Sequence, residues 1–427
     1  MTTDATGTAT AMATTEEIED VEAFRLRARA WIRANLTQGE AVESLRDRPD
    51  EVELAAVARD REIQRALFDA GFAGICFPKE YGGQGLTPAH QQAWNQEVAG
   101  YHYPSRLQAP TMVPCAAVLL EFGTEEQKRR HLPAILKGEE IWMQMLSEPS
   151  SGSDAAGALT TAVREGDEWV LNGSKIWTTG AWWADWALVL ARTNWDVPKH
   201  RGLTVFIMPI HQPGVTVHRI EMLNGNREFC QEFFSDVRVP DSDRVDAVDN
   251  GWSVCTRWLF HERMLFHSPF ATMTAGGRGG RDATGALALA REVGRSDDPI
   301  ARDLVGEAVT IDLVGAAVSN RITRGIMTGA MNDQAAAVVR LSVCLGGARR
   351  TQIAFELAGE NAGAWADDDG RSADAGVDQL MRQSACIGGG TTEMARNVIA
   401  ERVLGMPREV SLDRDVPFRD VPRGSRR

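Results

Sequence analysis

The chain has 427 residues, of which 43% are hydrophobic and 25% charged, with a formal net charge of −13. That length holds two or three domains with substantial cores, and the acidic balance argues against nucleic acid or an anionic membrane as the main partner. No apolar run reaches the roughly 18 residues that a membrane-spanning helix needs.

The opening Met1-Thr-Thr-Asp-Ala-Thr-Gly7 lacks the basic start and apolar core of a secretory signal and the arginines of a transit peptide. Residues 1–14 therefore read as a disordered leader, and the chain as cytoplasmic. From 15 to 142 the apolar spacing is helical: Ile18, Val21, Phe24, Ala28 and Trp31, then Ile63, Leu67 and Ala70. From 143 to 256 it changes to short β-rich runs, namely 186–190, 203–207, 215–217 and 233–239, punctuated by Gly, Pro and Asn. Helical spacing returns from 257 to 410, with Val305, Val309, Leu313 and Ala316, then Val338, Leu341, Leu345, Ala348 and Phe355. Helices, a β-domain and helices again make an α+β arrangement. The segment 411–427 mixes charges with prolines and is predicted to be a mobile tail.

Ala275-Gly-Gly-Arg-Gly-Gly-Arg281 invites a phosphate-loop reading. No strand precedes it and the Lys-Ser/Thr ending is missing, so a flexible link between helices is expected. The six cysteines, Cys76, Cys115, Cys230, Cys255, Cys344 and Cys386, show no paired or metal-type spacing and read as reduced, mostly buried thiols. The eight histidines form no ligand cluster, and no metal is expected.

The most informative stretch is 144–179. Ser150, Ser151, Gly152 and Ser153 make a loop of little bulk, whose N–H and hydroxyl groups suit an anion such as a pyrophosphate. Asn172-Gly173 lies between two β-type runs, Glu168–Leu171 and Ser174–Thr178, and predicts a two-residue hairpin turn. That turn would send Trp177 and Thr179 back toward the loop, with an indole face available to a flat cofactor.

This stretch resembles the flavin-binding β-domain of the acyl-CoA dehydrogenase family. The likeness extends over roughly residues 16–410. Phe77-Pro-Lys-Glu-Tyr-Gly-Gly-Gln-Gly85 is similar to the family's loop between early helices, and Gly123-Thr-Glu-Glu-Gln-Lys128 with Leu132-Pro133 to its lead-in to the flavin segment. Thr391-Thr-Glu-Met-Ala-Arg-Asn-Val-Ile-Ala-Glu-Arg-Val-Leu-Gly405 is similar to its C-terminal cofactor helix. The resemblance implies an N-terminal helical domain, a central β-barrel-like domain and a C-terminal four-helix bundle. It also implies FAD, an acyl-CoA substrate, an electron-transfer flavoprotein as partner, and a homodimer or homotetramer.

By position, the resemblance places Met145, Leu146 and Ser147 at the isoalloxazine edge, and Gly152 and Ser153 at the pyrophosphate. Trp177 would lie on the ring and Thr179 beside its reactive nitrogen. Thr391 and Glu393 would lie near the adenosine or phosphate portion. Arg291 aligns with an arginine that reaches a neighbouring subunit's FAD. The residues after it, Val293-Gly294-Arg295, depart from the family pattern, so Arg295 is an alternative. Leu357-Ala-Gly-Glu-Asn-Ala-Gly363 also departs from the usual Gly-rich segment.

Dehydrogenation of this kind needs a base for the α-proton and donors for the thioester oxygen. Most members carry a Glu where this chain has Gly389, within Ile387-Gly-Gly-Gly-Thr-Thr392. A minority place the base on the first helix after the β-domain, as Glu-Arg; Glu262-Arg263 occupies that position. The residues themselves agree. Glu262 has Trp258, Leu259, Leu265 and Phe266 as helical neighbours, and a carboxylate on an apolar face is costly unless paired or functional. Gly389 retains the backbone N–H that the family uses on the thioester carbonyl, and its missing side chain leaves space for a less linear acyl group. Two alternatives stay open at this level. One is a flavin oxidase or monooxygenase on the same scaffold; the other is a non-catalytic subunit of a heteromeric dehydrogenase.

Overall fold

The computed structural model describes residues 18–39, 49–265, 268–272, 283–363, 370–411 and 413–422. The leader at 1–14, the Gly-Arg segment 275–281 and Phe266 lie outside them.

The N-terminal part is helical. Helix α1 (Val21–Asn35) starts at Asp20, whose carboxylate accepts from the Glu22 and Ala23 amides, and it buries Phe24, Ala28 and Ile32 at four-residue spacing. Helix α2 (Asp50–Asp69) and helix α3 (Pro88–Val98) complete this layer around an aromatic cluster of Phe24, Trp31, Phe72 and Trp94. Helices α4 (Ser105–Pro110) and α5 (Ala117–Phe122) join through a π-helical turn at Thr111–Ala116. Pro110 and Pro114 bring no N–H to the regular ladder there. Helix α6 (Glu125–Leu136) opens on a reciprocal Thr124–Gln127 cap.

Eight strands follow: β1 (Trp142–Met145), β2 (Thr161–Glu165), β3 (Glu168–Thr179), β4 (Trp186–Arg192), β5 (Leu203–Pro209), β6 (Val215–Arg219), β7 (Phe229–Pro240) and β8 (Arg244–Val245). They form one sheet in the order β6-β7-β3-β2-β4-β5-β8, with β1 parallel to β4. Strands β4 and β5 are apolar almost throughout because both faces are covered. Leu188, Leu190, Val205 and Ile207 meet the helices, including Trp258, while Val189, Phe206 and Met208 pack against Leu171 and Val237.

One expectation is corrected here. Asn172-Gly173 is no hairpin turn; β3 runs straight through it for 12 residues. The β2–β3 turn is Gly166-Asp167, between the paired Glu165 and Glu168, with Gly166 at φ 68. Asn172-Gly173 instead marks a register shift against β7. Glycine is required at 173 by close approach: a Cβ there would meet the Thr160 Cα at 2.7 Å.

Helix α7 (Gly251–Arg263) begins six residues before the predicted return to helix. Helices α8 (Ala283–Glu292), α9 (Pro299–Met327), α10 (Ala336–Ala358), α11 (Gly370–Met381) and α12 (Thr392–Val398) follow. Leu289, Leu304, Ile353 and Leu357 share the core of this bundle. On α9 and α10, Leu313, Val314, Met327 and Leu345 remain exposed.

The tail also differs from expectation. Residues 413–422 of the segment predicted to be mobile pack against the β-domain, because Phe418 buries its ring beside Trp195 and over the Arg192 guanidinium. Five of the six cysteines are buried and Cys76 is partly so, all as free thiols. Among the described residues no His/Cys/Asp/Glu group can hold a metal, and no helix is long and apolar enough to cross a membrane.

Candidate active site

The floor of the site is made where β1 and β3 end side by side. The Ile176 amide donates to the Ser147 carbonyl at 3.0 Å, and Lys175 Nζ donates to the Leu146 carbonyl at 3.1 Å. Met145 is fully buried in the sheet core and presents no surface of its own. Leu146 and Ser147 are half-buried.

Lys175 and Glu148 form an ion pair of 2.8 Å with side chains 0% and 3% exposed. Glu148 also accepts from the Leu159 and Thr160 amides, at 2.6 and 3.0 Å. Burial raises the Glu148 carboxyl's pKa, but Lys175 and those amides outweigh it and hold the group below the usual carboxylate range. The pair thereby anchors both ends of the loop 149–158. Within this loop Gly152 has open space around it, and the Ser151 hydroxyl is buried with no partner. An orphaned donor beside an unobstructed glycine fits an anionic group seated there.

On β3 the backbone supplies a second device. Trp177 sits at φ 68, at a bulge where the pairing with β7 shifts between Ile176 and Thr178. The extra residue puts Lys175 and Thr178 both inward and turns Trp177 and Thr179 outward. Thr178 Oγ1 donates to Glu232 Oε2 at 2.9 Å, which fixes the bulge from beneath. The Trp177 indole is 51% exposed and meets Phe229 edge-on, presenting a flat apolar face.

Helix α7 brings in the carboxylate. Trp258 is buried and its indole donates to Gln144 on β1 at 2.6 Å, tying the helix to the sheet edge. Glu262 lies one turn further along α7, where Leu259 and Leu265 pack on the core. Burial raises its carboxyl above the usual carboxylate range, against the opposing pull of Arg340 and Arg263. Opposite stands the glycine loop: a Cβ on Gly389 would lie 3.2 Å from Glu262 Oε1 and 3.6 Å from the Arg340 Cζ. Gly389 adopts φ +71, which a larger residue accepts only with strain.

Arg340, on α10, holds that loop. Its guanidinium donates to the carbonyls of Ala385 at 2.8 Å and Gly390 at 3.2 Å, and to that of Gly388. Thr391 caps α12 through the Met394 amide, and Glu393 is exposed on the first turn. Glu262, Gly389 and Thr391 therefore share one end of the helical bundle.

Arg291 lies apart, on the exposed last turn of α8, which packs on α9 and α10. Arg295, the alternative, bonds Asp298 and the Glu356 and Leu357 carbonyls within this chain. Arg340, Glu232 and the Glu148–Lys175 pair carry no motif in the sequence that marks them for the site. The available signal was a charged residue at an inward position of a strand, or among the apolar residues of a helix.

Residues 19–139 match the N-terminal domain of acyl-CoA dehydrogenases, and residues 144–237 match the middle domain. Acyl-CoA dehydrogenase IpdE1 of Mycobacterium tuberculosis is 34% identical over 396 residues, covering 92% of this chain and 99% of that protein. Among solved structures, the Tcur3481-Tcur3483 steroid ACAD superimposes with a TM-score of 0.73 at 28% identity, over 91% of this chain and 98% of that one. The ChsE4-ChsE5 complex from Mycobacterium tuberculosis gives 0.69 at 25% identity, over 93% and 100%. Two matched domains and a relative aligned along nearly its full length make this chain a member of the acyl-CoA dehydrogenase family, an oxidoreductase acting on acyl-CoA.

Proposed function

We propose that the protein converts an acyl-CoA thioester to the trans-2-enoyl-CoA with FAD as cofactor and Glu262 as base. The observation that carries this reading is the closeness of Glu262 Oε1 to the Gly389 backbone. A base and a backbone donor must face one reacting group from two sides. Glu262 takes the α-proton, and burial suits it to keep one. The Gly389 N–H donates to the thioester carbonyl, where charge grows as the proton leaves.

FAD, when bound, supplies the acceptor for the β-hydride. Leu146 and Ser147 meet its ring edge, with Met145 buried behind them, and Trp177 covers a ring face with Thr179 beside it. Gly152 and Ser153 meet the pyrophosphate, and Thr391 and Glu393 the adenosine or phosphate portion. Arg291, exposed where Arg295 is engaged, reaches a neighbouring subunit's FAD. Electrons pass on to an electron-transfer flavoprotein. With no side chain at 389, where even a Cβ would come within 3.2 Å of Glu262 Oε1, the carboxylate stays uncovered, which suits a less linear acyl group such as a branched or polycyclic one. The name of the Tcur3481-Tcur3483 enzyme, a steroid ACAD, supports the same class.

Anaerobic bleaching of the bound flavin by a panel of acyl-CoA thioesters tests this, with Glu262→Gln alongside. Bleaching of the wild type alone supports the reading and identifies the acyl class. A flavin that no thioester reduces, or equal bleaching in the variant, refutes it.

A second arrangement is favoured by the exposed Leu313, Val314 and Met327 on α9 and Leu345 on α10. These faces suit burial against another chain of the same fold, as a homo-oligomer or as one component of a mixed enzyme. Light scattering of the protein alone separates the two arrangements: a stable homo-oligomer that reduces its own flavin excludes the mixed one.

A further inference from the structure

Arg192, the last residue of β4, is fully buried yet belongs to none of the groups above. Its guanidinium donates to Ala156 O at 2.6 Å, Ala158 O at 3.1 Å and Lys199 O at 2.9 Å. Two of these carbonyls belong to the chain that closes the loop 149–158. Above the guanidinium lies the Phe418 ring, whose centroid is 3.7 Å from the Arg192 Cζ, stacked on Trp195 at 5.4 Å and 26°. A cation enclosed by carbonyls and an aromatic face is stabilised by both.

The tail is docked by its backbone as well. The Phe418 amide donates to Val197 O at 2.9 Å and the Arg419 amide to Trp195 O at 3.1 Å, while Arg419 pairs with Asp196. A second bridge reaches the loop itself: Lys199 Nζ donates to Asp154 Oδ2 at 2.9 Å and to Asp413 Oδ2 at 3.1 Å. Asp154 directly follows Gly152-Ser153. One tail segment thus contributes to both supports beneath that loop.

We propose that residues 413–420 clamp the pyrophosphate loop, with Phe418 and Asp413 as positioning residues that act through Arg192 and Lys199 to raise FAD affinity. The inference rests on the flavin reading given above. A loop already held in its binding shape loses less freedom when the ligand arrives. By linkage, a bound ligand must then hold the tail down by the same factor.

The experiment is reconstitution of the full-length apoprotein with FAD, followed by flavin fluorescence, for wild type, Phe418→Ala, Phe418→Leu and Asp413→Asn. Phe418→Ala is expected to weaken FAD binding about tenfold. Phe418→Leu keeps the bulk without the ring and is expected to lie between it and wild type. Asp413→Asn, at the surface, covers the case in which Phe418→Ala does not fold, and is expected to weaken binding about threefold. Limited proteolysis supplies the reciprocal readout: FAD should slow cleavage within 413–422 of the wild type. A merely structural tail lowers the melting temperature of apo and holo forms alike and leaves FAD affinity and FAD-dependent protection unchanged; that result overturns the clamp. A wild-type protein that takes up no FAD overturns the flavin reading itself, and the clamp's role in binding with it.

Discussion

Glu262 and Gly389 face each other so closely that a Cβ on residue 389 would stand 3.2 Å from the Glu262 carboxylate oxygen. Gly389→Ala therefore strains a left-handed backbone position, at a cost of about 1 kcal/mol, and also presses on Glu262. The expected result is a fall in turnover of tenfold or more with a small loss of thermal stability. Steady-state kinetics beside a melting curve will show it; unchanged turnover would remove Glu262 from the reaction.

Arg340 joins the two. It seats the glycine loop through three carbonyls, and its charge is the strongest of those that favour ionised Glu262, ahead of Arg263. Burial pushes the carboxyl the other way, and the buried thiols Cys115 and Cys255 also lie within electrostatic reach of it. A base works only when ionised, so the acid limb of kcat/KM reports its pKa. Arg340→Met removes the favourable charge and should move that limb to higher pH, with Arg340→Lys in between. A limb that stays in place would mean that Arg340 only shapes the loop.

Lys175 and Glu148 make a prediction about the loop from its other end. Lys175→Met leaves a buried carboxylate without its partner, which costs about 3–5 kcal/mol. Glu148 then takes up a proton and loosens its hold on the Leu159 and Thr160 amides. Flavin affinity should fall together with the melting temperature. The double variant Lys175→Met, Glu148→Gln should regain much of the stability, since no charge is left unpaired. A double variant worse than the single one would contradict this.

What the sequence made legible was local or periodic. Glu262 stood out because a carboxylate among apolar helical neighbours is costly, and Gly389 because a side chain was missing where one was expected. Helix positions followed from spacing. The Asn172-Gly173 dipeptide misled because its glycine serves a close approach to Thr160, a contact made by distant chain that turn chemistry does not encode. The outward face of Trp177 depends on one inserted residue at positive φ, and a bulge leaves no trace in a two-residue alternation. Arg340 and Arg192 take their roles from carbonyls far along the chain. Phe418 lies in a charged, proline-rich tail whose composition points away from order; one buried ring reverses that.

Glu232 offers the last prediction. Its carboxyl lies under the Trp177 bulge with Oε1 buried and unpartnered, and burial raises its pKa to about 8 from 4.5, against the opposing pull of Thr178 and Lys175. The folded protein therefore keeps a proton that the unfolded chain releases as the pH rises through about 4.5. Folded-state proton binding is then the greater of the two, so the wild type loses stability with rising pH across that window and levels off above about 8. Glu232→Gln keeps an acceptor for the Thr178 hydroxyl and carries no titrating proton. Relative to wild type, the variant should gain on the order of 3 kcal/mol between pH 5 and pH 8.5. Melting temperatures of both proteins across that range measure it. A difference that stays flat with pH would place an ionised carboxylate beneath Trp177, balanced by the neighbouring Lys175 charge, and the bulge would then rest on an ion pair instead of a neutral acid.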